Sequence, residues 1–371
     1  MPIPIVYHIY TDKKFIDHCS LFPSDAVINK HIYITRYPER VENNFCDEIF
    51  GNRPTDLQRL IQFISNGSIV ILHDLDPVKA FIANRLPTNI IIIWRFFGWE
   101  LYKKIPKEVL SEKSLQYNLK EKMTLRQHLS KIWHSFFPRY KNEVTKAQKR
   151  INYFMCWSKN EYDFLKKFFE LPPFLFYPNL TPTAPYDLTQ KRDNIIIGNS
   201  RSVFNNHLDI LEMIKNSQDH IPSKYEFTLF FSYGPENDYS KAVKELALTL
   251  HNVKLIEGFI PWKDFNEIYV TASALVINSY RQMAMGNIMA ALNNGVKIYL
   301  NPKNCVYSWL KQEGFYIFDI KYLLPDLKNS NVMLSEAEMT HNVQEIQNFL
   351  HRHTKENLLK QLKYDFPQIL S

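Results

Sequence analysis

Residues 194–207 read Asn194-Ile195-Ile196-Ile197-Gly198-Asn199-Ser200-Arg201-Ser202-Val203-Phe204-Asn205-Asn206-His207. An apolar run of strand length ends at a glycine, passes through a polar turn and opens a helix. That succession predicts a βα unit. Turn amides and a helix N-terminus together suit an anion such as a diphosphate. Gly198 permits close approach, while Asn199, Ser200 and Asn205 offer amide and hydroxyl groups. An ordinary Asx-capped turn is the other reading of the same residues. The pattern is neither G-x-G-x-x-G nor a Walker A loop.

Downstream of this unit the alternation continues. Helices are expected over 207–215, 239–250, 261–269 and 287–293, and strands over 225–231, 253–256, 274–277 and 297–300. Two more strand ends carry ligand chemistry. Asn278-Ser279-Tyr280-Arg281-Gln282-Met283-Ala284-Met285-Gly286-Asn287 follows a strand with Arg281 and Gln282 as polar fingers. Its Gly286-Asn287 pair then introduces a helix, so the loop reads as a second phosphate cradle, with Arg suited to bidentate contact. Phe231-Ser232-Tyr233-Gly234-Pro235 ends another strand, where Tyr233 beside Gly234 would either stack a base or simply pack the turn.

Upstream, five prolines between 172 and 185 predict an extended connector and a domain boundary. The first half repeats the βα pattern, with strands over 3–10, 31–35, 68–72 and 89–94 and helices over 57–65 and 77–84. The expected organisation is α/β: a first Rossmann-like domain over 1–180, a second over 190–341, and a C-terminal helix over 342–371 that could cross back to the first. Two doubly wound domains would face a central cleft, with ligands outside the carboxyl ends of the strands. A chain of 371 residues, 45% hydrophobic and 22% charged, has material for two such cores, and disorder as its dominant state is excluded.

The net charge of +7 is concentrated. Residues 103–150 hold 13 Lys and Arg against 4 Glu, so the remainder of the chain is slightly acidic. Leu125, Leu129, Ile132, Trp133, Phe136, Phe137 and Tyr140 recur at helical spacing within it. The segment reads as a basic aromatic face for the inner surface of the cytoplasmic membrane, or as a solvated helical hairpin. No nucleic-acid motif accompanies it. Cys19, Cys46, Cys156 and Cys305 are scattered, no stretch reaches the length of a membrane span and no signal peptide is legible, so a cytoplasmic protein, peripheral on the membrane, is expected.

In the first half, Ile69-Val70-Ile71-Leu72-His73-Asp74-Leu75-Asp76 ends a strand with a histidine and two carboxylates. Trp94-Arg95-Phe96-Phe97-Gly98-Trp99-Glu100-Leu101-Tyr102 follows the next strand. Both put titratable groups where a general base would sit, although such a His or Glu can equally be structural. Asp74-Leu75-Asp76 also matches the D-x-D pattern of metal-dependent glycosyltransferases.

The 94–102 run resembles the W-x-x-x-G-x-[DE]-L-Y segment of the bacterial 4-acetamido-4,6-dideoxy-galactosyltransferases of enterobacterial common antigen synthesis. Ile197-Gly198-Asn199-Ser200 with Asn205 and His207, Arg281-Gln282 with Gly286, and Phe137-Pro138 with Gln148-Lys149-Arg150 resemble the same family, as do His8 and His73 at strand ends. The likeness spans most of the chain as an ordered set of short motifs. It implies a GT-B glycosyltransferase, metal-independent and inverting, with a TDP- or UDP-sugar donor, a lipid-linked glycan acceptor and no other cofactor. Glu100 is the first choice for the base on the family pattern, with His73 and Asp12 in reserve. A longer basic stretch before Trp133 and the carboxylates of the His73 loop depart from the pattern. Other readings are a metal-dependent GT-A transferase using Asp74 and Asp76, a GT-B-like nucleotide-sugar epimerase, and a non-catalytic scaffold of a polysaccharide assembly complex.

Overall fold

The computed structural model describes residues 3–13, 16, 27–42, 45–120, 143–177 and 193–367. These group into two compact units: the described residues of 1–100, 123–180 and 353–371, and those of 101–122 and 181–352.

The first unit is built on a parallel sheet of β1 (Ile5–Tyr10), β2 (Ile28–Thr35), β3 (Glu48–Gly51), β4 (Ile69–His73), β5 (Ile91–Arg95), β6 (Tyr153–Cys156) and β7 (Phe174–Phe176), in the order β3-β2-β1-β4-β5-β6-β7. Every residue of β4 and β5 is buried, so these strands read as unbroken apolar runs rather than alternating ones, as expected of a sheet covered on both faces. The second unit carries β8 (Asn194–Ile197), β9 (Glu226–Phe230), β10 (Val253–Ile256), β11 (Ala272–Ile277), β12 (Lys297–Leu300) and β13 (Phe318–Asp319), all parallel and ordered β10-β9-β8-β11-β12-β13. In each sheet the order reverses beside the first strand, at β1/β4 and at β8/β11. Those are the topological switch points of doubly wound folds.

The expected elements recur within a few residues, with three corrections. The 172–185 run is not connector throughout: Phe174–Phe176 adds strand β7 beside β6 before the described chain breaks off. Residues 101–122, expected in the first domain, belong to the second unit, where Ser111 bonds Asn206 and Asp209. The C-terminal stretch is two helices, Glu336–Arg352 and Lys355–Asp365, interrupted by Thr354, whose side chain caps the second. Leu358, Leu359 and Leu362 of that second helix are buried in the first unit's core with Val6, Ile69 and Ile91. Among the described residues no helix is long and apolar enough to cross a membrane. The hydrophobic half of the basic segment, from Leu125 to Tyr140, lies outside the described residues, as do Phe137-Pro138 of the motif and Cys19. Of the segment's described cations, Arg150 is structural, donating to the carbonyls of Pro87 and Ile90.

Candidate functional site

In the second unit Ile197 of β8 pairs with Leu229 of β9 on one side and Val276 of β11 on the other, so the loops leaving these strands are neighbours. Gly198 has φ of 64°, and a Cβ there would stand 2.2 Å from His207 Nε2 and 3.3 Å from Asn205 Oδ1. The glycine is required because the imidazole lies directly over its Cα. Arg201 N–H donates to the Tyr233 carbonyl at 2.9 Å, and Asn199 Nδ2 donates to the Tyr233 hydroxyl at 2.6 Å, so the β8 and β9 loops are tied together. Gly234 (φ 114°) sits where a Cβ would meet Arg201 Cγ at 2.9 Å. Tyr233 remains 57% exposed, leaving a ring face available for stacking.

Asparagines join the β8, β11 and β12 ends. Asn206 in left-handed conformation donates to the Asn278 carbonyl at 2.9 Å, Asn278 returns a bond to Asn206 O, and Asn301 donates to Asn278 Oδ1. This lattice was not anticipated; its only sequence signal is the excess of Asn just after strands. Arg281 lies over Phe204 (4.5 Å) and Tyr102 (5.0 Å) and donates to the Gln282 carbonyl; Gln282 itself is buried. Ala284 takes the left-handed conformation and starts the helix Met285–Asn293, whose first amides, including those of Gly286 and Asn287, lack intrahelical partners. Gly286 is open, and Asn287 donates to the Tyr269 hydroxyl at 2.7 Å.

The turn is partly the Asx type considered from sequence. Ser200 and Asn205 bond each other, and Ser202 caps the 203–205 turn. Yet among the described residues neither ring nitrogen of His207, which is 1% exposed, has a bonding partner, and neither has the buried Asn205 Oδ1. Burial holds the His207 imidazole neutral, pushed down to about 3. Buried polar atoms are nearly always paired, and the hydrogen bonds within the turn leave this cluster around one glycine unaccounted for.

At the first unit's switch point, β1, β4 and β5 bring together a buried histidine chain. Arg95 Nη1, which can only donate, bonds His73 Nδ1 at 3.1 Å; His73 Nε2 therefore carries the proton and donates to His8 Nδ1 at 3.1 Å. His8 Nε2 in turn donates to Asn29 Oδ1 at 3.0 Å. Arg95 also bonds the Tyr177 hydroxyl. His73, expected as a reserve base, thus has both ring nitrogens engaged and is 1% exposed. Burial, with His31 nearby, pushes His8 down to about 3, and burial and Arg95 hold His73 well below its usual range. The folded-state values lie below the unfolded one, so the unfolded chain binds more protons between about pH 6.5 and 3. Stability is therefore expected to be full above pH 6.5 and to fall steadily through that window. A His8→Asn variant should show a shallower fall in urea titrations at pH 7 and 4.5; an unchanged slope would contradict the neutral chain.

Asp74 and Asp76 hold a lysine. Lys79 is fully buried and donates to Asp74 Oδ1 (2.5 Å), Asp76 Oδ2 (2.8 Å) and Thr11 (2.7 Å), while Asp76 caps the helix Pro77–Ala83. Burial pushes Asp74 up to about 6 against the pull of Lys79. Burial pushes Asp76 up, but the Lys79 charge and hydrogen bonds together with the Thr11 hydroxyl outweigh it and hold the carboxyl below its usual range. The ammonium occupies the place a cation would take in a D-x-D site. Among the described residues no His, Cys, Asp and Glu group could hold a metal ion.

Glu100, in the short helix Trp99–Tyr102, is 4% exposed. Its Oε1 accepts from Trp94 Nε1 (3.3 Å) and Phe97 N (3.4 Å), while Oε2 is buried with no partner among the described residues. Burial, with the charge of Asp74 adding, pushes its carboxyl up to about 7. Asp12 is half-buried on the turn after β1. The site residues predicted from sequence thus fall into two groups: the cradle residues at the β8, β9 and β11 ends of the second unit, and Glu100, His73 and Asp12 in the first.

No family model and no curated sequence relative matches the chain. Solved structures do. Sucrose-phosphate synthase from Thermosynechococcus elongatus aligns at TM-score 0.64 and 9% identity, over 99% of each chain. A trehalose-6-phosphate protein from E. coli, bound with UDP-2-fluoro glucose, aligns at 0.60 and 10% over 98% of this chain and 99% of that one. A trehalose-6-phosphate synthase studied for glycosyltransfer with retention aligns at 0.56 and 9% over 98% and 99%. The chain has the fold of these proteins, the two-Rossmann-domain GT-B fold.

Proposed function

We propose that the protein is a glycosyltransferase. It moves a sugar, by its family resemblance an amino-deoxy-hexose of the enterobacterial common antigen type, from a TDP or UDP donor to a lipid-linked glycan. The observation that carries this reading is the cluster of unpartnered buried polar atoms at Gly198, set beside the Tyr233 and Arg281 loops. In this reading the donor diphosphate lies over Gly198, with the first-turn amides at Gly286 and Asn287 and the Arg281 guanidinium balancing the charge of the leaving group. The Tyr233 ring stacks the base. Glu100 takes the proton from the acceptor hydroxyl, which then attacks the anomeric carbon as the nucleoside diphosphate departs. Such in-line attack inverts the anomeric configuration, in contrast to the retention named for one of the similar structures. The guanidinium and helix terminus take the electrostatic role of a metal, so none is required. Residues 103–150, with their surplus of cations, hold the protein on the inner face of the membrane, where a lipid-linked acceptor is presented.

The test is a thermal-shift series with UDP, TDP, GDP and CMP, each with EDTA and with manganese. A ligand that binds only the folded state raises the melting temperature by mass action. UDP or TDP is expected to stabilise equally under both conditions. No shift with any nucleotide would remove the donor site, and a shift appearing only with manganese would restore the metal-dependent reading.

A further inference from the structure

Two tryptophans flank the end of β5, and the fold treats them oppositely. Trp94 is buried, edge-to-face against Phe96 and Phe154 at 6.1 and 4.9 Å. Trp99 is 43% exposed and immediately precedes Glu100. A single exposed aromatic is ordinary, but this one is held. Its indole N–H donates to the Asp74 carboxylate. Asp74 is fixed in turn: it is buried, takes the left-handed conformation (φ 66°), donates its N–H to the Arg95 carbonyl at 3.0 Å and accepts from the fully buried Lys79. Lys79 also reaches Thr11 beyond the end of β1, so the brace crosses the β1/β4 switch point, where doubly wound sheets take ligands.

We propose that the exposed face of the Trp99 indole is the platform on which a pyranose ring of the acceptor stacks, directing a ring hydroxyl to Glu100. The inference rests on the transferase reading of Glu100 and adds a residue that the resemblance does not supply: W-x-x-x-G-x-[DE]-L-Y leaves position 99 open. The surroundings select the ligand class. Asp12, Asp74 and Glu100 offer carboxyl oxygens at these strand ends, which accept from hydroxyls and repel phosphates. The cations beside them are already engaged. Lys79 spends its three donors on Asp74, Asp76 and Thr11, Arg95 bonds His73 and Tyr177, and Lys13 lies over the Phe45 ring at 4.0 Å. A wholly apolar ligand such as a lipid chain would leave Glu100 Oε2 without a partner, whereas a sugar hydroxyl supplies one. An indole pinned by its N–H presents a preset apolar face to the C–H side of the sugar ring, so little freedom is lost on stacking.

The full chain is titrated with cellobiose, lactose and diacetylchitobiose, with binding followed by ligand-observed NMR saturation transfer and UMP added as competitor. At least one saccharide is expected to bind, and Trp99→Ala to weaken it roughly tenfold or more, while the UDP- or TDP-induced thermal shift is unchanged. Trp99→Phe keeps a ring face but loses the N–H to Asp74, so its affinity should fall between those of wild type and Trp99→Ala. The melting temperature of each variant checks that it folds, and the phenylalanine keeps the test open where the alanine does not. Saccharide binding equal in wild type and both variants, no saccharide binding, or displacement of the bound saccharide by UMP would each overturn the proposal. Trp99-dependent saccharide binding in a protein that shows no nucleotide shift would instead remove the donor site and leave the platform standing.

Discussion

Glu100→Gln is expected to lower turnover at least about 100-fold, the scale of general acid–base catalysis, with nucleotide affinity unchanged. The carboxyl is buried, Oε1 is held by Trp94 and Phe97, and Oε2 has no partner among the described residues. Glutamine preserves the shape and an acceptor at Oε1 but cannot take a proton. Because burial pushes the group up to about 7, wild-type turnover should rise with pH through about 7 and then level, and the variant should lose that limb. Stability gives a second readout with the opposite sign from the histidines. Here the folded-state value lies above the unfolded one of 4.5, so the native state binds the extra proton. The favourable term is present below pH 4.5 and disappears as pH rises through about 7, costing on the order of 3 kcal/mol. Glu100→Gln should therefore be more stable than wild type at pH 8 and not at pH 5. Near-normal turnover in the variant would remove Glu100 from the role; a flat stability difference would show that the carboxyl is not buried as described.

The two sheets were legible because their central strands are covered on both faces. Ile195–Ile197 and Ile69–Leu72 have no other reading than buried parallel strand, and glycine or a polar loop follows each. Of the four strands missed, β6 (Tyr153–Cys156) is buried throughout but carries no β-branched residue, and the other three lack that signature. β3, Glu48–Gly51, is an edge with one buried residue in four, and β13 is two residues long. β7 was hidden by prolines on both sides, which an edge strand tolerates. The site was legible by loop but not by partner. Gly198, Arg281 and Gly286 could be named from strand-end position, whereas the chain Arg95–His73–His8–Asn29 joins residues 21 to 65 positions apart along the sequence. The same limit left Asp74-Leu75-Asp76 open to an alternative metal-binding reading. Lys79 stands three residues after Asp76, at helical spacing behind a capped Pro77, and that pairing could have been read.

Gly198→Ala is expected to abolish the nucleotide-induced thermal shift and to lower the melting temperature, and the companion variants say why. An alanine at φ of 64° costs about 1–2 kcal/mol for the left-handed conformation alone. Its Cβ would also stand 2.2 Å from His207 Nε2, and His207 is buried and cannot swing clear. Together these should depress the apo melting temperature by roughly 5 °C or more. Gly286→Ala meets no atom within 4 Å and needs no left-handed backbone, so it should fold as stably as the wild type or better. Removing the imidazole separates the two consequences. His207→Ala deletes a ring whose nitrogens have no partner among the described residues, so it sacrifices packing but no hydrogen bond seen there. In the Gly198→Ala, His207→Ala double variant the collision is relieved, and the two destabilisations should sum to less than their separate values. The nucleotide shift should stay absent in the double variant, because what is missing is the imidazole that the diphosphate would complete. Recovery of the shift together with stability would mean that His207 only crowds the turn. Full retention of the shift in Gly198→Ala would place the diphosphate elsewhere.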